Sequence, residues 1–409
     1  MSDSMRCRGM RDLLPPEMAR FRLIEQAFRD VCLGWGYEEV RTPTVEHLHL
    51  FTAVGTLSPQ MLGRVYSFLD WDGWSGERVV LRPDSTIPVA RMYVEHGGDE
   101  GLRRLFYVQS VLRFAQSDES REEWQCGIEL IGDTQPVGDI ELILMADEIL
   151  SSLGLGAVLK LSDPGIMRAI LARAGYNPAD QMRLYDRLLD GELAVLDEVA
   201  GRITGAGASL RALLAVEGDG APYIENMRAA LLSAIPELDR PLAELATVSN
   251  TLSDLGRGHT IAPLLMRNFE YYTGPAFQFY VEDQRVGSGG RYDSLIGLVG
   301  GAATPASGLA FDVEALLPLV DTAPASPGRS RVVVRAADAS HAALMATFSL
   351  AGALRAVGVQ FQLAKPDQDD TAAEAVASAE GFTLRLNGSK PRRFGSAADV
   401  ARALAEARQ

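Results

Sequence analysis

The chain has 409 residues, of which 47% are hydrophobic and 23% charged, and its formal net charge is −15. This length allows two or three domains with a large core, and the composition is that of an ordinary globular protein. The negative charge argues against a protein that mainly holds a nucleic-acid backbone, because phosphate contacts need clustered Lys and Arg. No apolar run reaches the roughly 18 residues that span a bilayer, and the N-terminus lacks the apolar core of a signal peptide.

The cysteines and histidines are too few and too scattered to form a site. Cys7, Cys32 and Cys126 are far apart and show no metal-ligand spacing, and the five histidines do not cluster. An odd, sparse set of cysteines is typical of a reducing compartment without disulfides. We therefore expect a cytoplasmic protein that holds no metal and needs no cofactor.

The first 131 residues predict one helix followed mainly by strands. The helix begins at Pro15 and ends near Gly34, because proline is tolerated in a first turn and glycine favours helix ends. Apolar runs then predict strands at 37–42, 65–69, 79–82, 105–114 and 124–131, with a helix from about 88 to 96. The last two strands enclose a polar stretch, which predicts a long antiparallel hairpin with a charged tip.

The middle of the chain changes from strand signals to helix signals and back. A helix is predicted at 139–153, and Leu and Ala at helical spacing predict a helical insertion at about 165–256. Strand alternation returns at 276–281. The glycines at 287–290 predict a tight turn.

The C-terminal part has the pattern of a separate small domain. Residues 321–328 are rich in Pro, Ala and Ser and are typical of a linker. A strand at 332–334, a helix at 341–357 and a strand at 360–363 follow, and then another helix–strand pair, which favours a small α/β unit. We predict one domain at 1–325 and a second at 326–409.

Four segments combine residue types suited to a small zwitterionic ligand. They are Arg82-Pro83-Asp84-Ser85-Thr86, the hairpin with Arg113 and Gln125-Cys126-Gly127-Ile128-Glu129, Arg267-Asn268-Phe269-Glu270-Tyr271-Tyr272-Thr273-Gly274, and Gly289-Gly290-Arg291-Tyr292-Asp293. Carboxylates, a Gln and a Thr can hold an ammonium group and a polar ring, and arginines can hold a carboxylate or a phosphate. Strand alternation places Gln125, Gly127 and Glu129 on one face, where Gly127 leaves room for a ligand. Each segment alone is more often a turn, core packing or a bend.

The order and spacing of these segments resemble a known family. The chain resembles class II histidyl-tRNA synthetases and, more closely, their paralogues, the regulatory subunits of short-form ATP phosphoribosyltransferase. The match runs from Arg8-Gly9-Met10-Arg11-Asp12-Leu13-Leu14-Pro15-Pro16 to about Leu316. Gly36-Tyr37-Glu38-Glu39-Val40-Arg41-Thr42-Pro43 is similar to motif 1, the family's dimer-forming segment, and the hairpin with Arg113 is similar to motif 2.

The resemblance implies a fold of the α+β class. We expect a class II aminoacyl-tRNA synthetase-like antiparallel sheet of six or more strands, flanked by helices and carrying the helical insertion. The small C-terminal α/β domain loosely resembles an anticodon-binding domain.

The resemblance is incomplete on the side that binds ATP in the synthetases. There, a glutamate lies two residues after the motif 2 arginine, and an arginine begins the motif 3 helix. Here these positions are Ala115 and Ala315, the hairpin loop carries Asp118 and Glu119, and Asp312 replaces a glycine. Because AMP transfer needs cations on the triphosphate, we expect no adenylation and no catalytic residue.

The amino-acid side keeps the family's residue types, so the resemblance implies a histidine site. The implied ligand set is Asp84, Thr86, Arg113, Gln125, Glu129, Arg267, Tyr271 and Tyr272. The implied function is that of a noncatalytic regulatory subunit. It would activate the short catalytic subunit of ATP phosphoribosyltransferase and transmit feedback inhibition by L-histidine in the first step of histidine biosynthesis.

The resemblance also implies partners. We expect a self-dimer through motif 1, a hetero-octamer with the catalytic subunit, and neither a membrane nor a tRNA partner. One alternative is a divergent histidyl-tRNA synthetase. Another is a free-standing histidine sensor or tRNA-binding module.

Overall fold

The computed structural model describes residues 5–54, 65–71, 76–97, 101–114, 120–132, 136–205, 207–265, 271–321, 332–363, 373–386 and 389–407. The chain forms two compact units, Met1–Val320 and Asp321–Gln409. The boundary predicted between 325 and 326 lies outside the described residues. Among the described residues, no helix combines the length and the apolar character that a membrane crossing requires.

The first unit alternates strands and helices along its whole length. Its strands are β1 Glu38–Glu39, β2 Val45–His47, β3 Ser67–Trp71, β4 Gly76–Leu81, β5 Arg103–Leu112, β6 Glu122–Ile131, β7 Val158–Ser162, β8 Gly218–Asp219, β9 Thr260–Ile261, β10 Ala276–Val281, β11 Gln284–Arg291 and β12 Ala306–Asp312. Its helices are α1 Pro15–Gly34, α2 Leu48–Ala53, α3 Thr86–Glu95, α4 Pro136–Ser152, α5 Pro164–Arg173, α6 Pro178–Leu189, α7 Ala194–Ala200, α8 Gly207–Leu214, α9 Gly220–Leu231, α10 Asp239–Asp254, α11 Leu295–Leu298 and α12 Val313–Leu316. A 3-10 helix at Pro236–Leu238 precedes α10.

A nine-stranded sheet in the order β1-β5-β6-β12-β11-β10-β7-β9-β8 forms the centre of this unit. The strands from β5 to β7 in this order pair antiparallel, whereas β1 with β5 and β7 with β9 pair parallel. A smaller sheet has the order β2-β4-β3. The predicted antiparallel sheet flanked by helices is confirmed, although β7 had no prediction.

The β5–β6 hairpin separates a core face from a second, partly polar face. Phe106, Cys126 and Ile128 point into the core that α1 and α4 cover. Tyr107 and Glu129 lie on the other face, because successive side chains of a strand alternate. The predicted hairpin is confirmed, and its tip at 115–119 lies outside the described residues.

The glycines at 287–290 lie inside strand β11, so the predicted tight turn is wrong. A Cβ atom at Gly289 would lie 2.3 Å from the carbonyl oxygen of Gly308 and 2.6 Å from the Phe277 ring. The glycine therefore permits close strand packing and does not reverse the chain. The reversal occurs at Glu282 and Asp283, which have φ of 49° and 63°.

Helices dominate the segment between β7 and β10, where the sequence predicts an insertion at about 165–256. The 3-10 helix and helices α5 to α10 occupy it, and their apolar faces join the main core. The short strands β8 and β9 attach the segment to the edge of the nine-stranded sheet.

The second unit is a five-stranded sheet with helices packed against it. Its strands are β13 Val332–Ala336, β14 Phe361–Leu363, β15 Ala373–Ser378, β16 Gly381–Leu386 and β17 Arg392–Phe394, and its helices are α13 His341–Ala356 and α14 Ala397–Glu406. The sheet order is β14-β13-β15-β16-β17. The described residues after 363 form two antiparallel strands, a third short strand and a helix, and the stretch 364–372, where the predicted helix would lie, is outside the described residues. Ala373, Ala375 and Ala377 are buried at every second position, which is a strand pattern despite their helix propensity.

Candidate functional site

Glu129 lies at the centre of a buried polar cluster on the second face of the β5–β6 hairpin. Its side chain is 1% exposed. The Tyr107 hydroxyl donates to Oε1 of Glu129 at 3.2 Å, and the Tyr292 hydroxyl donates to Oε2. The Thr86 hydroxyl also hydrogen-bonds to this carboxyl group. Burial raises the pKa of Glu129 well above its usual range, while the hydrogen bonds from Thr86 and Tyr107 act in the opposite direction.

Two glycines make space for this arrangement. A Cβ atom at Gly127 would lie 2.1 Å from Cζ of Tyr107, and one at Gly308 would lie 2.2 Å from Oε2 of Glu129. The prediction that Gly127 leaves room for a ligand is therefore wrong, because the Tyr107 ring fills the space above it. Gly127 instead allows Tyr107 to reach Glu129 across the strand pair.

Asp84, just before α3, brings a second, half-buried carboxyl group to the cluster. Its Oδ1 accepts a hydrogen bond of 3.0 Å from the main-chain N–H of Ile87. Burial raises the pKa of Asp84, whereas the Ile87 N–H and the nearby Arg113 act to lower it. The charge of Asp84 also raises the pKa of Glu129, so the two carboxyl groups influence each other.

Tyr271 and Tyr272 close one side of the cluster. The Tyr271 ring lies 5.1 Å from that of Tyr272 and 5.2 Å from that of Tyr292, measured between centroids. Burial raises the pKa of both Tyr271 and Tyr272, and Asp84 and Glu129 raise it further. Both phenols therefore stay neutral.

Gln125 and Arg113 lie at the hairpin end nearer to the solvent. The Gln125 Oε1 atom is buried and has no hydrogen-bond partner among the described residues. Arg113 donates from Nη1 to Oε2 of Glu123 at 2.9 Å and from Nε to the carbonyl of Pro83 at 2.8 Å. The structure thus brings Arg113 near Asp84, but an internal partner already holds it. Arg267 lies outside the described residues.

Arg82 and Arg291, which stand in the segments singled out from the sequence, are structural. The Arg82 guanidinium donates to the carbonyls of Thr42, Pro43 and Ser110. Arg291 donates to Asp139 and, at 3.0 Å, to Glu244. These contacts fix the segments that carry Asp84 and Tyr292.

Tyr107 and Tyr292 are the site residues that the sequence analysis missed. Tyr292 stands in a segment already singled out, and Tyr107 lies directly opposite Gly127 in the hairpin register. A large residue facing a glycine across a strand pair was the available signal.

On the side predicted to have lost ATP binding, acidic groups make internal contacts. Asp312 caps α12 by accepting from the Ala315 N–H at 3.3 Å, and Glu314 accepts from the Trp124 N–H at 2.8 Å. Burial raises the pKa of Glu314 to about 7. The predicted loop features at Ala115, Asp118 and Glu119 lie outside the described residues.

This arrangement suits a small ligand rich in hydrogen-bond donors. Buried carboxyl groups gain most from a cation or a charge-assisted donor, because burial otherwise penalises their charged forms. No arginine or lysine of the described residues contacts Glu129. The described residues contain no group of three or more His, Cys, Asp or Glu side chains arranged to hold a metal ion.

Solved structures share the fold. A structure of an "ATP phosphoribosyltransferase regulatory subunit/histidyl-tRNA synthetase" from Bacillus halodurans C superposes with a TM-score of 0.77 at 24% identity, covering 92% of this chain and 98% of that one. A histidyl-tRNA synthetase from Nostoc sp. PCC 7120 gives a TM-score of 0.72 at 18% identity, covering 99% of each chain. The chain thus has the class II aminoacyl-tRNA synthetase fold.

Sequence relatives identify the family to which the chain belongs. Residues 9–316 match the histidyl-tRNA synthetase family profile. The chain is 46% identical over 318 residues to the ATP phosphoribosyltransferase regulatory subunit of Dehalococcoides mccartyi strain CBDB1, covering 77% of each chain. It is 35% identical over 321 residues to the histidine–tRNA ligase of Archaeoglobus fulgidus, covering 76% of this chain and 74% of that one. The chain belongs to the histidyl-tRNA synthetase family, in the branch of the ATP phosphoribosyltransferase regulatory subunits.

Proposed function

We propose that this protein is a noncatalytic regulatory subunit of ATP phosphoribosyltransferase that binds L-histidine in the Glu129 pocket. It activates the short catalytic subunit and transmits feedback inhibition in the first step of histidine biosynthesis. The assignment is supported by relatives that are named as regulatory subunits and share 45–46% sequence identity with this chain. Feedback requires that histidine bind one state of the assembly better than another.

The observation that carries the histidine assignment is a pair of carboxyl groups, the half-buried Asp84 and the buried Glu129, inside a wall of tyrosines. A zwitterionic amino acid with an ammonium group and an imidazole offers donors to both carboxyl groups at once. Gln125 adds a buried acceptor without a described partner. Arg267 remains the proposed partner of the ligand's carboxylate, and Arg113, paired with Glu123, lines the open end of the proposed pocket. Tyr107, Thr86, Tyr271, Tyr272 and Tyr292 complete the proposed pocket.

The residues on the side that binds ATP in the synthetases support the absence of a catalytic role. Arg113 is ion-paired with Glu123, and Ala315 supplies no cation where the synthetases have an arginine. Adenylation needs positive charge where the transition state develops negative charge. The remaining acidic groups oppose a triphosphate.

The proposed assembly contains a self-dimer through the motif 1 segment and the short catalytic chain, together forming a hetero-octamer in the cytoplasm. The short β1 strand of this segment pairs with β5, so the motif is continuous with the hairpin of the pocket. No tRNA is expected as a partner.

A divergent histidyl-tRNA synthetase is the second candidate, and the 35% identity to the Archaeoglobus enzyme favours it. Two assays on the pure protein separate the candidates. Calorimetry with L-histidine is expected to show binding, and ATP–pyrophosphate exchange with L-histidine is expected to show no turnover. Robust exchange would overturn the regulatory assignment, and no histidine binding would overturn the pocket assignment.

A further inference from the structure

At its open end the hairpin carries the cation Arg113 and the anion Glu123, and Arg121, whose carbonyl oxygen accepts from the Arg113 main-chain N–H, lies beside them. Strand alternation places Glu123 on the same face of β6 as Gln125 and Glu129, and Arg113 follows β5 on the matching face. Glu122 projects to the opposite face. The Arg113–Glu123 pair therefore terminates the row of side chains that begins at Glu129.

The pair is accessible to a ligand. The Arg113 side chain is 37% exposed and that of Glu123 is 29% exposed, with 2.9 Å between Nη1 and Oε2. Arg113 also acts electrostatically on Asp84. Its guanidinium thus lies between the amino-acid pocket and the open end of the hairpin.

A short helix next to the hairpin carries the acidic side chains Asp312 and Glu314, and Arg11 lies 4.0 Å from the Glu314 carboxylate. Glu314 binds the main-chain N–H of Trp124, the residue that follows Glu123, and Asp312 caps the same short helix. A phosphate group reaching Arg113 has to displace the Glu123 carboxylate, which holds the Arg113 guanidinium at 2.9 Å. An amino-acid ammonium group next to Asp84 requires no such displacement.

We propose that Glu123 determines the ligand class of the pocket, because it occupies Arg113 and so excludes phosphate-bearing ligands while an amino acid is admitted. The proposal rests on the proposed function, in which the pocket binds histidine. In this proposal, the Arg113–Glu123 ion pair prevents nucleotide binding in addition to the loss of ATP-binding residues such as the arginine at position 315. Glu123 is a specificity-determining residue that acts through Arg113.

The test replaces Glu123 by Gln, which removes the charge and keeps the size. AMP is the probe, and its binding is followed by calorimetry and by the fluorescence of the neighbouring Trp124. We expect Glu123→Gln to bind AMP at least about tenfold more tightly than the wild type. Glu122→Gln is the matched control, since it makes the same charge change on the opposite face of the strand, and its AMP affinity is expected to equal that of the wild type.

Three results contradict the proposal. They are AMP binding by Glu123→Gln that is undetectable or unchanged, an equal gain in Glu122→Gln, and tight AMP binding by the wild type. L-histidine binding is measured on the same samples, and a cooperative thermal transition establishes that each variant folds. If the wild type binds histidine and AMP does not respond to Glu123, this inference alone fails. If the wild type does not bind histidine, the pocket assignment within the proposed function fails.

Discussion

Arg168 of α5 donates a hydrogen bond of 2.7 Å to the main-chain carbonyl oxygen of Tyr272. A second link joins Glu244 of α10 to Arg291, the residue before Tyr292. The helical segment between β7 and β10 is thus bonded to both tyrosine-bearing segments of the candidate pocket. A ligand that moves either segment also acts on these helices.

Arg168→Ala is expected to weaken histidine binding several-fold. It also lowers the free energy of unfolding by roughly 1–3 kcal/mol, because a partly buried carbonyl loses its charged donor. Calorimetry and urea unfolding measure the two effects. Arg173→Ala on the same helix is the control, because its ion pair with Glu237 is exposed and exposed pairs contribute little. Equal losses in both variants would contradict the link.

Glu129→Gln is expected to weaken L-histidine binding by at least about tenfold, or roughly 1.4 kcal/mol, because a charge-assisted contact is lost. Arg267→Ala is expected to do the same, and Tyr292→Phe to have a smaller effect in the same direction. Calorimetry provides the affinities, and Glu122→Gln on the opposite face of β6 serves as the control. Unaltered affinity in Glu129→Gln and Arg267→Ala would place the ligand elsewhere.

The stability of the protein is expected to depend on the ionisation of Asp163. Burial, helped by the charge of Glu244, raises its pKa to about 7 against the opposing effects of the Gly165 N–H, Arg168 and Arg291. The folded state therefore keeps a proton that the unfolded state releases near its ordinary, lower pKa. Stability is present at low pH and is lost as pH rises through about 7.

Asp163→Asn removes this titration and keeps the acceptor oxygen for the Gly165 N–H, whose bond to Asp163 is 2.7 Å long. Between about pH 5 and pH 7, the wild type is expected to lose roughly 2 kcal/mol more unfolding free energy than the variant. Urea unfolding at each pH measures the difference, in which the other titrating groups cancel. Parallel stability curves for the two proteins would contradict the raised pKa.

Gly289→Ala is expected to lower the unfolding free energy by roughly 1–3 kcal/mol or more, because its methyl group would collide with the backbone of β12. Gly297→Ala is the control, since no atom lies within 4 Å of the position that its methyl group would take and alanine favours the helix there. Thermal unfolding compares the two. An unchanged stability of Gly289→Ala would contradict the close approach of Gly289 to the Gly308 carbonyl.

Local periodicity accounts for the elements that the sequence predicts correctly. The β5–β6 hairpin and strand 276–281 follow from runs of apolar residues, and the synthetase-like sheet follows from the resemblance. The glycines of β11 were misread because their reason lies on another strand, where the Gly308 carbonyl approaches Gly289. The same holds for Tyr107 and Tyr292, which reach Glu129 only across strand pairs. The Arg113–Glu123 pair could not be predicted from the sequence either, because it depends on the hairpin register.

The most direct test of the regulatory role is reconstitution with a short ATP phosphoribosyltransferase catalytic chain. Phosphoribosyl transfer is measured for the catalytic chain alone, for the mixture, and for the mixture with L-histidine, with Glu129→Gln in a parallel mixture. We expect that mixing raises the activity, that histidine inhibits the mixture, and that the variant still activates but responds to histidine only at higher concentration. A catalytic chain whose activity and histidine sensitivity are unchanged by mixing would contradict the regulatory role.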